Sequence, residues 1–179
     1  MPFATVTLFF TLLGLLAAAV ALMLLGAAGA ALAGRDRAWR MLASAFAPIA
    51  LPGAWVVALT TALGSLYYSE IVGFVPCTLC WYQRIALYPL VVILGVAALR
   101  DDSGVRRYAL PLVVIGALIA GGHTALEWAP ITDTGLCTGE APCGVPAFRS
   151  FGFVSLPLMA LSGFGLIGAL LLTTTAKDR

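Results

Sequence analysis

Charge is what this sequence lacks most. Only 10% of its 179 residues are Asp, Glu, Lys or Arg, against 61% hydrophobic, and the mean hydropathy is +1.03. A soluble domain carries roughly 25% charged residues. No water-facing surface can be built from so little charge, so the chain reads as an integral membrane protein. No Lys or Arg precedes the first apolar run, and that run outlasts the about 7–15 residues of a signal-peptide core; it reads as a span and not a cleaved leader. Also missing are a haem-attachment Cys-x-x-Cys-His, a glycine-rich nucleotide-binding motif and an iron–sulfur spacing.

What is present is a set of five long apolar runs, at 5–33, 42–66, 82–99, 108–128 and 153–173. A spanning helix needs about 20 apolar residues, and continuous Leu-, Ala- and Val-rich runs predict helices rather than the alternating strands of a barrel. The expected fold is therefore all-α with five transmembrane helices. Pro48, Pro52, Pro89, Pro111 and Pro157 fall in or near these runs, where membrane helices tolerate them. Gly14, Gly26, Gly116 and the Gly163/Gly165/Gly168 cluster read as helix-packing positions.

The cations give an orientation. Arg35, Arg37 and Arg40 lie between the first and second runs, Arg100, Arg106 and Arg107 between the third and fourth, and Lys177 and Arg179 end the chain; only Arg84 and Arg149 fall on the other side. The positive-inside rule then places the basic loops and the C-terminus in the cytoplasm. The N-terminus and the connections around 67–81 and 129–152 face out.

All four cysteines fall in those outward connections, Cys77 and Cys80 in the first, Cys137 and Cys143 in the second. Three readings compete: structural disulfides, a four-thiolate zinc site, and a relay in which one dithiol exchanges with the other. The wide spacing of the second pair fits zinc poorly. A staple is reasonable for Cys137 and Cys143, where Pro142 and Gly144 help the chain turn. For Cys77 and Cys80 it explains little, because so short a loop removes little unfolded-state entropy.

Residues 76–84 read PCTLCWYQR. Pro76 favours an extended Val75, so a helix should begin within 77–81, where its positive end would stabilise a thiolate. Arg84, four residues after Cys80, lies one turn along the same face; it would stabilise that thiolate, bind an anionic ligand, or snorkel to the headgroups. A dithiol fed by outside thiols must release its electrons. A lipid-soluble quinone needs none of the missing motifs and is the economical acceptor.

CTLCWYQR followed by an apolar helix resembles the quinone-coupled thiol oxidases of the DsbB/BdbC family, as does FGFVSLPLMALSGF at the last helix. The resemblance implies a four-helix bundle at 39–179, with residues 1–38 as an added N-terminal helix and cytoplasmic loop, in the bacterial inner membrane. It implies Cys77 and Cys80 as the quinone-proximal pair, Cys80 facing ubiquinone or menaquinone, and Arg84 as a quinone-binding residue. Cys137 and Cys143 would be the pair that oxidises a DsbA/BdbD-like thioredoxin-fold partner, and no metal is implied. The short spacing of this second pair is nearer the Gram-positive branch, and it leaves open which cysteine the partner attacks.

His123 and Glu127, four apart near the outer end of the fourth run, could share a face on which the imidazole delivers protons to quinone; a local polar pair is the plainer alternative. Trp81, Tyr82 and Trp128 read as aromatic-belt anchors, with Trp81 and Tyr82 also candidates to touch the quinone ring. Two other assignments stay open. One is a non-enzymatic membrane protein with stapled loops. The other is a vitamin K epoxide reductase-like enzyme, whose Cys-x-x-Cys falls later in the bundle.

Overall fold

In lipid every backbone polar group must be satisfied within the protein, and a helix does this within its own segment. The computed structural model describes residues 3–129, 137 and 142–174. Its helices are α1 Phe3–Leu32, α2 Arg37–Phe46, α3 Ala50–Leu66, α4 Thr78–Arg100, α5 Arg106–Trp128 and α6 Leu156–Thr173. Among the described residues the β structure is limited to an isolated Ser150–Val154 bridge. Five stretches are long and apolar enough to cross a membrane: Phe3–Leu32, Arg37–Ile71, Thr78–Arg100, Ser103–Trp128 and Leu156–Thr173. All five expected spans are present, and the chain is a multi-pass membrane protein. Lys177 and Arg179 lie outside the described residues.

The second stretch starts earlier than the hydropathy predicts. Its first helix, α2, is amphipathic, with Arg40 paired to Asp36 at 2.9 Å, and such a segment does not stand out in an apolar run. Three of the five prolines in or near the spans have a local accommodation. Pro48 lies in a 3₁₀ turn between α2 and α3, and Pro52 and Pro157 sit in the first turns of α3 and α6, where the missing N–H would be unpaired anyway. Pro89 and Pro111 are interior to α4 and α5.

Helices α3, α4, α5 and α6 pack each on the next, and α6 returns to α3, closing a four-helix ring. Helix α1 lies outside it, packed along α6 and touching α2. Close approach within the ring rests on small residues: Ala50, Ala54, Ala58 and Ala62 form one buried stripe along α3. Gly116 of α5 faces the ring of the fully buried Phe164, Gly163 faces Thr61, and Gly14 faces Met159. Gly26 departs from expectation, since a side chain there would meet nothing within 4 Å.

A Cβ at position 116 would overlap the Phe164 ring. Gly116→Ala should therefore cost about 1–3 kcal/mol of stability through overpacking, read as an earlier thermal unfolding in detergent. Phe164→Leu in the same chain should recover part of the loss.

Candidate functional site

Helix α4 begins as its sequence dictates. Cys77 is the N-cap, extended at φ −71° and ψ 169°, and its sulfur accepts from the Cys80 backbone N–H at 3.3 Å. The cap function normally served by Ser or Asp is here performed by a thiol. That geometry brings Cys77 Sγ to 2.7 Å from Cys80 Sγ. Both cysteines are free, Cys77 buried and Cys80 partly so.

From α5, His123 reaches the same point, its Nε2 3.8 Å from Cys77 Sγ. Its Nδ1 lies 3.0 Å from Gln83 Nε2. With the amide N–H donating, Nδ1 is the acceptor and the ring proton sits on Nε2, aimed at the sulfur. The Cys77 thiol is lowered to about 4, first by the hydrogen bond with Cys80 and then by His123, against the burial that would raise it. Cys77 is therefore a thiolate at neutral pH in the reduced protein.

The sign of this shift sets a pH dependence. A thiol of ordinary pKa near 8.5 loses about tenfold in alkylation rate for each pH unit below it. Reduced Cys77 should instead alkylate at a nearly constant rate from pH 8 down to about 5, with half its rate near 4. His123→Ala should move that midpoint upward. Rates mapped by peptide mass in a Cys137→Ser/Cys143→Ser background check both statements.

Arg84 does not snorkel. It is 6% exposed, and its guanidinium is pinned to the end of α3. Nε donates to Ser65 Oγ at 2.9 Å, and Nη2 donates to Ser65 O at 2.9 Å and Ser69 Oγ at 2.8 Å. A π turn at Tyr67–Ile71 follows directly. A change of register of this kind leaves a carbonyl over, and Ser65 O, just before the turn, accepts from the arginine. Trp81 stacks against the same guanidinium at 5.2 Å but is itself 52% exposed.

Glu127 shares the His123 face and is buried, with the Ser155 hydroxyl beside its carboxyl. Arg149 of the second connection lies over Trp128 at 4.3 Å and donates to Glu127 O at 2.6 Å. Cys137 and Cys143 are disulfide-bonded to each other, with Cα atoms 5.9 Å apart. Cys143 is buried.

These elements meet at one cavity of about 650 Å³, within the range of small-molecule sites. Cys77, Cys80, Gln83, Arg84, His123 and Glu127 line one end of it, and Pro142, Val145, Pro146 and Ala147 border it beside the second disulfide. The remaining lining is mostly apolar and comes largely from α1, α3 and α6, with Tyr68, Ser69, residues 74–76 and Leu87 completing it. Trp81 and Tyr82 are not among the lining residues. The ligand atoms of Cys77, Cys80 and His123 lie within 4.8 Å of one another, a set able to approach a metal ion. Two thiolates on one zinc ion sit about 3.7 Å apart, as Zn–S bonds of about 2.3 Å at tetrahedral angles require. The 2.7 Å found here suits sulfur–sulfur exchange better.

Sequence reasoning assigned no role to Gln83, Ser65 or Ser69. Gln83 was detectable in part, since it lies three residues from Cys80 on the same helical face. Nothing in the sequence pairs Ser65 and Ser69 with Arg84.

Residues 47–174 match the family described as "Disulfide bond formation protein DsbB". The chain is 47% identical over 118 residues to the disulfide bond formation protein C of Bacillus subtilis (strain 168), covering 65% of this chain and 86% of that protein. It is 45% identical over 116 residues to the probable disulfide formation protein C 1 of Bacillus cereus (strain ATCC 10987 / NRS 248), covering 64% and 84%. It is also 45% identical over 121 residues to the probable disulfide formation protein of Metapseudomonas resinovorans, covering 66% and 83%. No solved structure matches.

Proposed function

Because the chain belongs to the DsbB family of disulfide bond formation proteins, we propose that it is a quinone-dependent thiol oxidase, reoxidising a DsbA/BdbD-like thioredoxin-fold protein at the outer face of a bacterial cytoplasmic membrane. One observation carries this reading: a dithiol, its imidazole and a buried guanidinium all line one cavity that is otherwise mostly apolar and runs in among the spans. The residues fit a quinone. Arg84, His123 and Glu127 offer donors and a carboxyl around a head group, all three lining the cavity. A bound quinone supplies a two-electron acceptor soluble in the bilayer.

The chain's own residues do the rest. The partner's dithiol gives two electrons and two protons as it closes to a disulfide, and the Cys137–Cys143 disulfide opens to a dithiol. A thiolate of that outer pair attacks Cys77, forming a mixed disulfide and releasing Cys80 as a thiolate. The second outer thiolate then closes Cys137–Cys143 again and leaves Cys77 and Cys80 reduced. Reclosing Cys77–Cys80 delivers two electrons to the acceptor. His123, held in one tautomer by Gln83, and Glu127 are placed to pass the two protons. A low-pKa Cys77 stabilises the reduced pair, which makes that pair a stronger oxidant and draws electrons inward.

Loop charge places Arg35, Arg37, Arg40, Arg100, Arg106 and Arg107 on the cytoplasmic side, with both cysteine pairs outside. Residues 39–179 form the core of the oxidase and residues 1–38 an addition to it.

Fully reduced protein in detergent, mixed with a short-chain quinone, tests the inner half of this scheme. The account expects one equivalent of quinone consumed per cysteine pair. Wild type would consume two equivalents, Cys137→Ser/Cys143→Ser one, and Cys77→Ser/Cys80→Ser none. No quinone loss with reduced wild type, across both benzoquinones and naphthoquinones, would sink the proposal.

A further inference from the structure

Helix α1 lies outside the residues that match the family, which begin at 47, yet it forms a wall of the cavity. Phe10, Leu13, Gly14, Leu16 and Ala17 of α1 all line it, and at helical spacing they fall on one side of the helix. The same packing face is buried at Thr7 and Thr11 and again at Ala21 and Leu24. From Leu13 to Ala17 its side chains are half-buried or exposed, because α1 there borders open space.

The opposite walls come from α3, through Val56, Val57, Thr60, Thr61 and Gly64, and from α6, through Met159, Ala160, Gly163 and Leu166. Helix α1 packs along α6 but makes at most isolated close backbone approaches to α3. The cavity occupies that gap. Leu16 and Val56, facing it from either side, are 62% and 51% exposed, which marks a sideways opening between α1 and α3. From Ser69 to Val56, both lining residues, the π turn and α3 together travel about 20 Å at 1.5 Å per residue. The outer end of the gap is closed by aromatic contacts, with Phe10 6.0 Å from Tyr68 and Phe3 6.1 Å from both Phe74 and Phe148.

We infer that the α1–α3 gap is the binding channel for the isoprenoid tail of the membrane quinone, and that α1 is the element that builds it. The inference rests on the quinone reading above and adds the role of the first helix. The occupant follows from continuity: one mostly apolar cavity leads from the dithiol and Arg84 to the sideways opening at Leu16 and Val56. A molecule with a polar redox head and a long hydrocarbon tail matches both ends at once. A tail moving from lipid into this channel gains little from the hydrophobic effect, so its effect is to hold the head in place by packing.

A quinone carrying a photoreactive diazirine on its second isoprenoid unit provides the direct test, with labelled peptides mapped after illumination of the full chain in detergent. Label on residues 10–17 and 56–61 is expected. A kinetic companion compares KM for a tailed and a tail-free quinone. Wild type should favour the tailed molecule by about tenfold, and Ala17→Phe and Thr60→Phe, which fill the channel from either wall, should each bring that preference close to unity. Leu22→Ala, on an exposed face of α1 away from the cavity, should keep it. Quinone turnover with label confined to exposed faces such as Leu22 and Met23, or with the tail preference intact in both filled variants, would overturn this inference alone. Absence of any quinone turnover in wild type would overturn the functional reading and this inference with it. If one filled variant does not fold, the other variant and the labelling still decide.

Discussion

Cys80→Ser should bring quinone reduction down to the uncatalysed background, a loss of at least about 10³-fold, while the bundle stays folded. Cys80 is the sulfur from which the inner disulfide must re-form, and serine cannot replace it. The variant should also trap the relay. Cys77 loses the hydrogen bond with Cys80 but keeps the His123 contact at 3.8 Å, which still favours its thiolate, so it attacks the Cys137–Cys143 disulfide and forms a bond to one of those sulfurs. The other is released as a thiolate, and no net oxidation occurs. Peptide mapping without reductant should find Cys77 linked to Cys137 or Cys143. The cysteine found identifies the one that reaches inward. Retention of quinone reduction in this variant, with no cross-link, would show that the two pairs do not communicate.

Arg84→Met has the next largest expected effect, a fall of about 10²-fold in kcat/KM for quinone. Removing one preorganised donor to developing negative charge typically costs 10²–10³-fold. Only Nε and Nη2 are committed to α3 in the described hydrogen bonds, which leaves the Nη1 donors to face a ligand. Arg84→Lys should recover little, because an ammonium keeps the charge but cannot hold Ser65 and Ser69 with one planar fork. A structural role must be separated from this one. Ser65→Ala removes one anchor and leaves the cation in place, so it should lower the melting temperature while reducing kcat/KM only a few-fold. If Ser65→Ala and Arg84→Met lose activity in proportion to stability, Arg84 is a brace between α3 and α4 and nothing more.

The sequence revealed the parts of this molecule that depend on composition and local spacing. Five spans follow from five apolar runs, and Pro76 with the cysteines located the start of α4. The four-residue spacing of His123 and Glu127 set them on one face, and both are buried there. What lay hidden depends on contacts between helices. Gln83 matters because α4 and α5 bring it to His123, across forty residues of sequence. Ser65 and Ser69 matter because a π turn ends α3 beside Arg84. Arg84 itself was legible as a cation on the Cys80 face, but its burial was not, since the serines that solvate it belong to another helix. The gap between α1 and α3 could not be read at all. Hydropathy marks both as spans and says nothing about whether they touch.

The central claim is that electrons from outside thiols leave through quinone in the membrane. The most direct measurement mixes purified protein with a reduced DsbA-like thioredoxin-fold protein and a soluble quinone, following quinone absorbance and partner thiols together. The account predicts one quinone reduced for each partner disulfide formed, with both signals lost in Cys80→Ser and in Cys137→Ser. Partner oxidation that proceeds with the quinone untouched would contradict it.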